Sequence, residues 1–237
     1  MLALAALRLT LAAAAPATDA PRQPVPFVGC RSDGQTGRED APRGGPTPRV
    51  SAAAAPRLAY YGIEDLGVLA PRGWHCVGLR GSNGLMVIVT PDVREPLDLI
   101  GPAPGIAGPG VSVSLMFGET SGRFAVANAI ARYFPGYRAF ARRVSREGVR
   151  DEPLPAGPWA ADEIERRGPN EVRFKTPAGS RGAGTSSLFA PQGGAVSGAV
   201  VLLPADEPDL VAIRVRLPDD MTDLSLAIID ESPALRP

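Results

Sequence analysis

Large apolar residues recur at every second position along three stretches of the chain. Val111, Val113, Leu115 and Phe117 are separated by Ser112, Ser114 and Met116. Val211, Ile213, Val215 and Leu217 are separated by Ala212, Arg214 and Arg216, and Val172 and Phe174 alternate with Arg173 and Lys175. A period of two sends the two sets to opposite faces of an extended chain, so each stretch predicts a half-buried strand. Leu85 to Val89 and Ala199 to Leu203 are instead continuous apolar runs of strand length, as expected of central strands covered on both faces. Pro204 to Pro208 and Gly168-Pro169-Asn170 are short, turn-forming connections that suit antiparallel neighbours.

Helical spacing occurs three times. Ser121 to Phe134 runs through Phe124, Ala127 and Ile130, has capping hydroxyls at Thr120 and Ser121, and stops before Pro135. It has little polar face, which predicts burial against the sheet. Tyr137 to Gly148 places Tyr137, Phe140 and Val144 on one stripe and Arg138, Arg142 and Arg146 on another. A third helix, about Asp220 to Ser232, carries Asp219 and Asp220 at its positive end and turns Leu224 and Ile228 inward. Together these elements predict an α+β fold, an antiparallel sheet with about three helices packed mainly on one face.

The N-terminal quarter follows different rules. Residues 1–17 form a short apolar, Ala-rich stretch, too short for the ~20 residues of a membrane span, and Ala15-Pro16-Ala17 supplies the small residues of a cleavage site. This predicts a signal peptide removed before Thr18, with Arg8 an unusual charge inside it. Residues 18–56 are crowded with Pro, Gly, Arg and Ala around one apolar cluster, Val25-Pro26-Phe27-Val28, and are expected to be a largely disordered arm. Residues 57–237 then form a single domain. In an oxidising compartment the only two cysteines, Cys30 and Cys76, are expected to pair and tie the arm to the domain.

Composition narrows the chemistry. The 25 basic and 25 acidic residues give a net charge of +0, which removes the electrostatic basis for binding nucleic acid. One histidine and two cysteines leave few ways to build a zinc site or a histidine-based catalytic centre, and no cofactor or metal is implied.

The blocks Leu58-Ala59-Tyr60-Tyr61 and Leu66-Gly67-Val68-Leu69-Ala70-Pro71-Arg72-Gly73-Trp74-His75-Cys76 resemble a family of uncharacterised exported bacterial proteins. The resemblance extends through Val28-Gly29-Cys30, Ser32-Asp33-Gly34-Gln35, Thr120 to Phe124 and Gly182 to Thr185. It implies a periplasmic or secreted location and the two cysteines as a unit, and carries no activity.

Several residue groups invite a functional reading. His75 would be the base of any triad, with Ser82, Ser121 or Ser186 as nucleophile, against a structural histidine hydrogen-bonded near the disulfide. Gly179 to Ser186 has glycines near phosphate-loop spacing but no lysine, which leaves a turning loop or an anion site made of backbone amides and Arg181. Asp162, Glu163 and Glu165 could pair as acid and base on a glycoside, or form a solvated strand edge with Arg166 and Arg167. Asp33 to Gly37 has too few acids for a calcium loop and is expected to be a turn. From Arg138 to Arg150 five arginines face Glu147, a local charge of +4. Such a helix could meet an anionic envelope lipid, a glycolipid or another envelope protein, or be an ordinary solvated face. The function expected is binding or structural work in the cell envelope, with an envelope hydrolase using Ser and His75 or a carboxylate pair as the alternative.

Overall fold

The computed structural model describes residues 21–35, 37–95, 99, 105–147 and 153–235; the expected signal peptide and its cleavage point lie outside the described residues. The strands are β1 (Arg22–Pro24), β2 (Phe27–Gly29), β3 (Arg31–Gly34), β4 (Arg49–Ser51), β5 (Leu58–Gly62), β6 (Gly67–Pro71), β7 (His75–Gly81), β8 (Gly84–Thr90) and β9 (Gly110–Met116), followed by β10 (Glu163–Arg166), β11 (Glu171–Thr176), β12 (Val196–Leu203) and β13 (Asp209–Arg216). The helices are α1 (Arg123–Tyr133) and α2 (Arg138–Ser145), between β9 and β10, and α3 (Leu224–Glu231) after β13.

The fold is α+β, dominated by an eight-stranded sheet of order β10-β11-β12-β13-β9-β8-β7-β3, with a three-stranded sheet β2-β5-β6 and the pair β1-β4. Two features depart from the simple antiparallel expectation. Strands β2 and β3 pair in parallel with β5 and β7. A hairpin forces antiparallel pairing, but strands brought in from a distant arm carry no such constraint. The arm is also not a disordered tether within its described residues. It supplies all of β1 to β4, and it buries Val25, Cys30 and Val50 almost completely in the core.

The helices occupy both faces of the large sheet. One core joins Val111 and Val113 of β9, Val211, Ile213 and Val215 of β13, the apolar residues of β5 and β6, and Leu224, Ile228 and Ile229 of α3. The other joins Leu210 and Ala212 of β13 to Val126, Ile130 and Tyr133 of α1 and to Phe140 and Val144 of α2. The reason lies in β13, which presents Val211, Ile213 and Val215 on one face and Leu210 and Ala212 on the other and so needs cover on both; its neighbour β9 shares both layers. Their polar alternates are therefore not solvated: Ser112, Ser114 and Arg216 are buried. Among the described residues, no helix is long and apolar enough to cross a membrane.

Cys30, just after β2, and Cys76, in β7, form a disulfide with Cα atoms 5.3 Å apart. The bond links the three-stranded sheet to the large one at the point where the arm passes from β2 to β3. It reinforces the Cys30 amide, which donates to the Gly62 carbonyl at 2.8 Å.

Candidate functional site

A cavity of about 350 Å³ lies between the large sheet and α1. Its floor is a row of paired residues crossing four strands: Met86 opposite Ser114, Ser114 opposite Ala212, and Ala212 opposite Val200. Its roof comes from α1, where Ala125, Asn128, Ala129 and Arg132 recur at the spacing of one helical face. Small residues meet on both sides, Ser114 and Ala212 below and Ala125 and Ala129 above. The space between them stays open because no side chain there is long enough to fill it.

Polar groups converge at one end. Arg132 and Arg214 both line the cavity, and neither has a carboxylate within ion-pair distance among the described residues. The Arg214 Nε donates to the Ala183 carbonyl at 3.0 Å, and an Arg132 Nη donates to the Gly157 carbonyl at 3.2 Å. The Arg132 guanidinium also lies 3.9 Å from the centre of the Trp159 ring, with that of Arg181 5.8 Å from the same ring. Stacking on an aromatic face offsets part of the cost of withdrawing a guanidinium from water. Burial pushes the Arg214 guanidinium below its usual range, and the same cause acts on Arg132.

Tyr133 completes the group. The residue is 3% exposed, it lines the cavity, and its hydroxyl has no hydrogen-bond partner among the described residues. A buried donor left unsatisfied costs about 1–3 kcal/mol, so such a group is uncommon unless something else is meant to meet it. Burial, followed by the charge of Asp162, pushes its phenol up from 10.0 to about 12, against the opposing pull of Arg132 and Arg214. The hydroxyl thus remains a neutral donor at any physiological pH. The sign of its linkage follows. An unfolded tyrosine loses its proton near 10 and folded Tyr133 near 12, so its contribution to stability is intact below pH 10 and is lost as pH rises toward about 12. The difference between tyrosinate titrations of the folded protein and its Tyr133→Phe variant should show one group ionising near 12. A component at the ordinary tyrosine value would contradict this burial.

The glycine-rich loop turns out to support the cavity. Its amides are already occupied: Gly182 donates to the Thr185 hydroxyl at 2.9 Å, Ala183 to the Asp162 carboxylate at 2.9 Å, and Gly184 to the Thr176 hydroxyl at 3.0 Å. Asp162 also accepts from the Thr176 hydroxyl at 2.6 Å. A Cβ at Gly182 would stand 2.0 Å from that carboxylate, which is why the loop needs glycine there. The amide-built anion site suggested by the sequence is therefore not available. The loop instead holds Ala183, Ser186 and Ser187 at the cavity wall.

The other candidates separate in space. His75 is exposed at the start of β7, not buried in a hydrogen-bonded apolar setting. Ser82 and Ser121 lie with their hydroxyls 3.1 Å apart, just past the far end of that strand. Six strand steps separate the two ends of β7, about 20 Å, so no triad forms between His75 and these serines. Ser186 lines the cavity, but His75 does not. The carboxylates are dispersed too. Asp162 is committed to the loop, Glu163 lies 3.9 Å from Lys175, and Glu165 lies 2.9 Å from Arg167, while Arg166 donates to the Tyr133 carbonyl. On α2, Arg138, Arg142 and Arg146 are exposed, and Arg143 pairs with Glu207 at 2.7 Å.

Sequence reasoning missed Arg132, Tyr133, Trp159 and Arg214. A usable signal was present at Arg214, since an arginine in a strand flanked by two apolar strands has little chance of a solvated face. Comparison with family models, with curated proteins and with solved structures finds no match for this chain, so the cavity stands on its own geometry.

Proposed function

We propose that the protein is an exported binding protein that holds a small anionic amphiphile between the sheet and α1. The observation carrying this reading is the convergence, on a largely apolar cavity, of two guanidinium groups without ion-pair partners and one phenol without a hydrogen-bond partner among the described residues. Ligand sites have this composition, mostly apolar walls with a few oriented polar groups, and about 350 Å³ suits a small molecule. Catalysis is not favoured, because the one histidine is elsewhere and no carboxylate pair faces the cavity among the described residues. Export is supported by the Cys30–Cys76 disulfide, by the apolar N-terminus, and by the resemblance of the Leu66 to Cys76 block to exported bacterial proteins.

The exposed α2 arginines favour a second contact of the same protein, with anionic lipid or glycolipid of the envelope. Arg138, Arg142 and Arg146 share one stripe, and none is ion-paired among the described residues.

Thermal denaturation with a panel of short alkyl and aryl anions tests the cavity reading. At a hundredfold excess over Kd, a ligand should raise Tm by about 5–10 °C. Neutral and cationic analogues should give no shift. An equal response from a folded protein carrying both Arg132→Gln and Arg214→Gln would place binding elsewhere.

A further inference from the structure

The charges around the cavity differ from those of a bare pair of arginines. Asp162 stands outside the lining, spending its two oxygens on Thr176 and the Ala183 amide, yet its charge reaches both Arg132 and Tyr133. Arg181 is exposed, where solvent screens its charge, so the two lining cations and the one fixed anion leave about a single positive charge for a ligand to neutralise. A dianion would leave an excess negative charge beside apolar walls, and a neutral molecule would leave the guanidinium groups unmatched.

The head and body of the ligand can be distinguished by what lines each end. Planar two-oxygen groups match the fork of a guanidinium, and the Tyr133 hydroxyl adds one further donor. Away from this end the walls are Met86, Met116, Val200 and Leu210. Methionines are flexible and polarisable, so such walls adapt to an apolar body better than to a polar one. The Trp159 ring lies against Arg132 and also lines the cavity.

We infer that the ligand is a monocarboxylate with an unbranched or aromatic apolar body, its carboxylate held by Arg132, Arg214 and the Tyr133 hydroxyl. This rests on the binding reading above and specifies the ligand class of the same cavity. The carboxylate competes with the Trp159 ring for Arg132, so binding also changes the emission of Trp159, a change that Trp159→Phe removes.

Calorimetric titration of the full chain with octanoate, octyl phosphate and octanol separates the two levels of the claim. The titration is run well above the second phosphate pKa of about 6, so that octyl phosphate is a dianion. Octanoate should bind at least about tenfold more tightly than either of the others. Arg132→Gln and Arg214→Gln should each weaken octanoate about tenfold or more, as expected on losing a charge-assisted hydrogen bond. Tyr133→Phe should weaken it severalfold. If octyl phosphate binds most tightly, the single-charge inference is overturned while the small-anion reading stands. If neither anion binds, or octanol binds as well as octanoate, both are overturned. Should Arg214→Gln fail to fold, the three-ligand series on the unmodified protein still decides the outcome.

Discussion

Replacing Arg216 with alanine is expected to lower unfolding free energy by about 3–5 kcal/mol, the largest effect of any single arginine in the chain. Arg216 is 3% exposed and has no carboxylate partner among the described residues. Its guanidinium is satisfied by carbonyls: those of Ile106 and Ala190 at 2.7 Å, Gly194 at 2.9 Å and Ala107 at 3.2 Å. Two loops, one before β9 and one between β11 and β12, thereby converge on one side chain, with the Phe189 ring 5.1 Å from the cation. Alanine would orphan these carbonyls and open a cavity between the segments, two costs that add. Gly193 shows how close the packing is, since a Cβ there would stand 2.3 Å from an Arg216 nitrogen. Chemical denaturation of the oxidised protein measures the change. A loss below about 1 kcal/mol would mean that water rehydrates the carbonyls at little cost.

The second large effect concerns the disulfide. Reducing it, or replacing both cysteines with serine, is expected to cost about 4 kcal/mol, from the loop entropy of a 46-residue separation. The loss should appear first in the arm, because β1 to β4 are three or four residues long and depend on the body for cover. Hydrogen exchange on the serine variant should therefore show faster exchange at position 30 and its neighbours than in β12 or β13. Mass analysis of the oxidised protein should find no free thiol. Uniform loss of protection across all strands would instead mean that arm and body unfold as one unit.

Much of the scaffold was legible from the chain alone. The strands β8, β9, β11, β12 and β13 fall on the alternating or continuous apolar runs, and α1, α2 and α3 fall within the three predicted helices. Local periodicity decides these, because side chains two apart on a strand, or three and four apart on a helix, share a face whatever else the molecule does. The pairing of Cys30 with Cys76 was likewise fixed by arithmetic, there being no other cysteine to choose.

What periodicity cannot supply is the identity of the layer that a second face meets. The polar alternates of β9 and β13 look the same in sequence whether water or a helix covers them. Only the return of α1 across the sheet brought Ser114 and Arg214 to a covered face, and only the loops around Ile106 and Ala190 buried Arg216. The arm was misjudged for a related reason. Its composition is too poor in apolar residues to order itself, but a few of them suffice when an existing sheet edge supplies hydrogen bonds and the disulfide holds the strands in place. Sequence determined five of the strands, the three helices and which cysteines join. Tertiary structure decided where the arginines, the phenol and the open space coincide, because that depends on contacts between residues distant in the chain.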